Sequence, residues 1–124
     1  MTVNVRSAYM NTTVTTANPQ RLLVMLYERL LLDVQRALTA QQAEDHAAAH
    51  PHLIHAQDIV TELRSTLRVD AWAGGPGLAA LYDWLHVQLV QANVKRDTAT
   101  TADCLPVIES LAEAWRQAAL AATA

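Results

Sequence analysis

Four histidines crowd into residues 46–55 of this chain, and they are the side chains best equipped for chemistry: His46, His50, His52 and His55. His46 and His50 stand one helical turn apart, so on a helix both rings could reach one zinc ion. Further ligands are wanting, because there is no paired cysteine and no His-Glu-x-x-His pattern; the cluster reads as the solvated start of a helix. The carboxylate pairs Asp58/Glu62 and Glu109/Glu113 lie one turn apart on helices whose other faces make the core, and read as solvated surface. Ser7, Ser65 and Ser110 have no nucleophile context. Gly74-Gly75-Pro76-Gly77 lacks the spacing and the lysine of a phosphate-binding loop. The lone Cys104 sits among Leu105, Val107 and Ile108, which reads as a buried, inert thiol in a reducing compartment. No catalytic residue, metal or cofactor emerges, and the chain reads as a protein other than an enzyme.

Composition bounds the alternatives. The 124 residues are 52% hydrophobic and 17% charged with three glycines, which suits one folded domain and excludes a disordered chain. Alanine and leucine abound and phenylalanine is absent, so the expected class is all-α. A net charge of -3, with nine scattered cations, excludes nucleic acid as the main partner, since phosphate binding needs a basic patch. No apolar run approaches a membrane span, and MTVNVRSAYM lacks the apolar core of a signal peptide. A cytoplasmic protein without membrane insertion is expected.

Residues 1–17, rich in Thr, Val and Asn, read as an extended, flexible N-terminal arm. Order is expected from Asn18-Pro19, a preferred cap followed by a preferred first helical residue. The first helix is expected from Pro19 to about Ala40, with Leu23, Tyr27, Leu30, Val34 and Ala37 toward the core. Arg21, Glu28, Arg29, Asp33 and Arg36 mark its solvent side, where Met25 and Leu32 also fall. After a short polar connection, the second helix takes its register from Leu53, Ala56, Val60, Leu63 and Leu67, with Ile59 at the edge and Ile54 off the face. Pro51 either kinks a helix that starts near Asp45 or marks the first turn of one starting at His50. The third helix is expected from Gly77 or slightly earlier, with Lys95 and Arg96 in its last turn. Thr98 to Ala102 reads as a connection, Asp103 as a cap and Pro106 as first turn; the fourth helix then carries Cys104, Ile108, Leu111, Trp115, Ala118 and Ala119 on one face. Four such helices with short connections give an up-down-up-down antiparallel four-helix bundle over residues 18–124.

The third helix has one face too many. At about 100° per residue, Leu78, Leu81, Tyr82, Leu85, Leu89 and Ala92 form a core stripe, while Trp84, Val87, Val90 and Val94 fall on roughly the opposite side. A second apolar stripe on a small bundle is suited to receiving an amphipathic partner helix, and Ile54 joins it as a candidate contact. A homodimer seam, giving a self-associating helical bundle, is the alternative use of the same stripe.

The order of certain residues adds to this. Over roughly residues 8–116 the chain resembles the FliS family of flagellar secretion chaperones. The resemblance rests on Ala8-Tyr9; on Val14-Thr15-Thr16-Ala17-Asn18-Pro19 running into Leu22-Leu23-Val24-Met25-Leu26-Tyr27-Glu28; and on Ala56, Ile59-Val60 and Leu63. It continues through Leu81-Tyr82-Asp83, Leu89, Ala92-Asn93 and Trp115. It implies a cytoplasmic four-helix chaperone that holds the C-terminal amphipathic segment of flagellin and prevents its polymerisation before type III export. It also leaves room for other flagellar export or regulatory proteins as partners, and gives Tyr9 and Met10 a role as a lid over the groove when the client is absent.

Overall fold

The computed structural model describes residues 19–71 and 73–123, and the expected arm, with Tyr9 and Met10, lies outside them. Four helices follow one another: α1 (Pro19–Gln42), α2 (His46–Thr66), α3 (Gly75–Val94) and α4 (Thr98–Thr123). α1 packs on α2 and α4, and α3 packs on the same two, so the helices form an antiparallel ring in chain order. This is the up-down-up-down bundle that the apolar periodicity calls for.

The core follows the expected stripes. Leu23, Tyr27, Leu30, Val34 and Ala37 of α1 are buried with Leu53, Ala56, Val60 and Leu63 of α2, Tyr82, Leu85 and Leu89 of α3, and Cys104, Ile108 and Trp115 of α4. Aromatics close the centre: Tyr27 stacks on Trp115 at 6.1 Å between ring centroids, and its hydroxyl meets that of Tyr82 across the bundle. Burial pushes the Cys104 thiol up to about 11, with the Asp103 charge adding to the effect. That agrees with an inert core thiol.

Several boundaries differ from expectation. α2 starts at His46, capped by Asp45, whose carboxylate accepts from the Ala48 amide at 3.0 Å. Pro51 therefore lies inside the helix, and the start at His50 is set aside. α3 starts at Gly75, within the expected start at Gly77 or slightly earlier, with Gly74 as N-cap and Pro76 in the first turn. Its C-cap is Lys95, and Arg96 lies beyond it with φ 53°, so these cations follow the helix and are not in its last turn. α4 starts at Thr98, not after Asp103. The cap is Asp97, which accepts from the Thr100 amide at 3.2 Å; hydrogen bonds from the Thr100 side chain and then its backbone hold the Asp97 carboxyl below the usual range. Pro106 is accordingly interior and sits on the exposed side of α4.

One side assignment on α1 is also overturned. Asp33 is fully buried. It faces α2, where His55 Nδ1 meets its Oδ2, and Arg29 Nε stands 3.2 Å from Oδ1, close enough for ion pairing without hydrogen-bond alignment. A carboxylate can be buried when partners of opposite charge or hydrogen-bonding capacity come with it, and one of these partners belongs to another helix.

Candidate functional site

The seam between α2 and α3 is held by three polar links. Arg64 Nε donates to Asp83 Oδ1 at 3.0 Å, Gln57 Nε2 donates to the Leu89 carbonyl at 3.4 Å, and the Asn93 amide lies 2.9 Å from His50 Nδ1. Residues 50, 57 and 64 recur every two turns, so one edge of α2 supplies all three. These links fix the antiparallel register and leave the apolar residues between them facing outward.

Along this seam run two depressions. One, of about 470 Å³, is walled by Val60, Thr61 and Arg64 of α2 and by His86 and Val87 of α3. The other, also about 470 Å³, lies at the end of the bundle that carries the α1–α2 and α3–α4 connections, and Val94 forms part of its wall. Val87 thus opens onto one and Val94 onto the other.

The residues singled out on α3 project outward: Trp84 is 40% exposed, Val87 52% and Val94 74%, while Val90 is half-buried. They are not one line. Trp84 is three residues from Val87, which turns it about 60° around the helix, away from the side on which Val87 meets α2. Ile54, 38% exposed, falls on α2 between His50 and Gln57 and so in the row that borders α3. The structure brings Val87, Val94 and Ile54 along the seam and sets Trp84 on the adjoining outer face. A further apolar group was not anticipated as a surface: Leu22 and Met25 of α1 and Leu120 of α4 are exposed at the opposite end of the bundle. Met25 was visible as an apolar residue on a charged side, and that was its only signal.

The histidines stand at the solvated start of α2 as expected, His50 and His55 exposed and His46 and His52 half-buried, and they also make specific contacts. His50 engages Asn93 of α3, His55 engages Asp33 of α1, and His46 lines the end depression. Among the described residues, no three His, Cys, Asp or Glu side chains converge to hold a metal ion. The polar wall of Arg64, Gln57, His50 and Gln41 escaped sequence reasoning. Its only trace was the seven-residue recurrence of polar residues flanking the α2 core stripe.

A family profile described as "Flagellar protein FliS" matches residues 2–122. The chain belongs to the FliS family. It is 35% identical over 115 residues to the flagellar secretion chaperone FliS of Bacillus subtilis (strain 168), covering 93% of this chain and 86% of that protein. To the flagellar secretion chaperone FliS of Vibrio cholerae serotype O1 it is 29% identical over 102 residues, or 82% of this chain and 75% of the relative. The chain is thus a member of a family of flagellar secretion chaperones. No helix among the described residues is long and apolar enough to cross a membrane.

Proposed function

We propose that the chain binds the C-terminal amphipathic segment of flagellin along the α2–α3 seam, in the cytoplasm, and keeps it from polymerising before type III export. Val87, Val90, Val94 and Ile54 take the apolar face of the segment, and Trp84 covers its flank on the outer surface of α3. The observation that carries this is the outer face of α3: three large apolar side chains stand exposed on one helix of a small, well-packed bundle. Such a patch lowers its free energy by receiving another apolar face. A flagellin terminus that folds only on partnering has an apolar stripe of its own, and covering it removes the surface through which copies would meet.

Size-exclusion chromatography of the full chain with the C-terminal segment of flagellin from the same genome is the test. A 1:1 complex with the wild type, lost in Val87→Glu and Val94→Glu at unchanged far-UV helicity, supports the reading. A self-association peak that the same substitutions abolish, with no uptake of the segment, overturns it in favour of a homodimer seam.

A further inference from the structure

The depression at the connection end of the seam differs chemically from the apolar face beside it. Gln41, 3% exposed, reaches into it from the last turn of α1, and its Nε2 donates to the Ala92 carbonyl at 3.2 Å. A carbonyl only accepts, so the NH2 side of the amide must face Ala92, and the Oε1 is left as an acceptor. That oxygen is buried and has no partner among the described residues. His46 Nδ1, in the same wall, is likewise buried and without a partner among them. Ala47 lines the cleft too, and its carbonyl lacks the usual donor four residues on, because that residue is Pro51 and has no N–H.

The same cleft is walled by His50 and Asn93, which engage each other, and by one cation, Arg96. Arg96 occupies the left-handed position that ends α3, with φ 53° and its amide bonded back to Asn93, and it lines the cleft. Glycine is the ordinary residue there, because a Cβ is disfavoured at positive φ. An arginine held in that conformation contributes a guanidinium to the cleft at the expense of local strain, a pattern associated with functional sites.

The cleft therefore presents acceptors in a group with a cation beside them. A carboxylate would meet the Gln41 oxygen lone pair against lone pair. An ammonium would be repelled by Arg96, and a hydroxyl has a single proton to give. A primary carboxamide has two N–H donors on one atom and an acceptor oxygen next to it, which matches Gln41 Oε1 and the Arg96 guanidinium together, and His46 Nδ1 takes the second N–H in the tautomer that carries its proton on Nε2. Val94 belongs to both this cleft and the apolar face, so a helix lying over Val87 and Val94 carries its next turn to the cleft. Resting on the function proposed above, we infer that this cleft is a subsite for the side-chain carboxamide of an asparagine or glutamine in the bound flagellin segment.

The test is a double-mutant cycle by calorimetry with the full chain. The flagellin C-terminal segment is titrated intact and with each Asn and Gln replaced singly by Ala, against the wild type, Gln41→Met and Arg96→Gly. Gln41→Met keeps the side-chain length without the acceptor, and Arg96→Gly keeps the left-handed backbone without the guanidinium. Each chaperone variant should weaken binding about tenfold, the effect of one well-made buried hydrogen bond. One amide position of the segment should cost about tenfold with the wild type and nothing further with either variant, since coupled groups are non-additive. If Gln41→Met fails to fold, Arg96→Gly carries the cycle alone. Wild-type affinity in these variants, or no coupled position, while Val87→Glu still abolishes binding, overturns the subsite and leaves the seam reading intact. Unchanged binding by Val87→Glu as well overturns both.

Discussion

Two glycines two residues apart at the start of α3 should respond to alanine with opposite signs. At Gly75 an added Cβ would stand 1.9 Å from the Val69 carbonyl oxygen and 2.8 Å from its carbon. Contacts under 3.0 Å are essentially never made, so the chain must open by more than about 1 Å, and the obstacle is backbone that cannot rotate away. What moves is the connection carrying Leu67, which is buried, and Val69 and Ala71, which pack against the core. Since full burial of a Val or Leu side chain contributes about 1.5–3 kcal/mol, partial loss at two such positions makes Gly75→Ala cost about 2–4 kcal/mol. At Gly77 nothing lies within 4 Å of the new Cβ, and the residue is exposed and helical. Gly77→Ala should stabilise by about 0.5–1 kcal/mol through the reduced freedom of the unfolded chain. At roughly 4 °C per kcal/mol for a domain of this size, thermal unfolding followed at 222 nm should place Gly75→Ala about 8–16 °C below the wild type and Gly77→Ala about 2–4 °C above it. A Gly75→Ala protein melting within 2 °C of the wild type would refute the close approach of Val69, and with it the placement of the helix that carries Val87 and Val94.

Leu85→Ala, a fully buried truncation two residues from Val87, should cost about 2–5 kcal/mol in urea unfolding, whereas Val87→Glu should leave the unfolding midpoint within experimental error. Cys104 should resist an aromatic disulfide reagent at pH 8 in the native protein and react at once in denaturant. Because its folded value of about 11 lies above the unfolded value of 9.0, the thiol adds no pH dependence below pH 9, and stability should fall as pH rises from 9 to 11. Asp33→Ala should destabilise the bundle more than Asp58→Ala does, since only the first removes a buried carboxylate that joins two helices; equal unfolding midpoints would contradict that role.

The bundle was legible because periodicity is a property of each helix by itself. Leu23, Tyr27, Leu30 and Val34 recur at helical spacing whatever they pack against, and so do Tyr82, Leu85 and Leu89. The exposure of Trp84, Val87 and Val94 was legible for the same reason, as a second stripe that the first excludes from the core. What escaped depends on a second element. Asp33 looks like surface until His55 arrives from α2 to meet it. The start of α4 was misplaced because a proline is ordinarily read as a first-turn residue, whereas Pro106 is tolerated inside the helix on its exposed side and Asp97, with Thr100, supplies the cap. The polar wall of the seam has no signature of its own beyond spacing, since Arg64, Gln57 and His50 acquire meaning only from the Asp83, Leu89 and Asn93 that face them. Gln41 was absorbed into a connection by its polarity, and its burial comes from the Ala92 carbonyl opposite it.

The central claim is that uncharged side chains beside the α2–α3 seam hold the flagellin C-terminal segment. Isothermal titration of the full chain with that segment, at several temperatures and at low and high salt, addresses it most directly. Burial of apolar surface by a segment that orders on binding predicts a negative heat-capacity change, an unfavourable ordering entropy and weak salt dependence, all abolished in Val87→Glu. A tenfold or larger loss of affinity with added salt and no heat-capacity change, or full affinity in Val87→Glu, would contradict it.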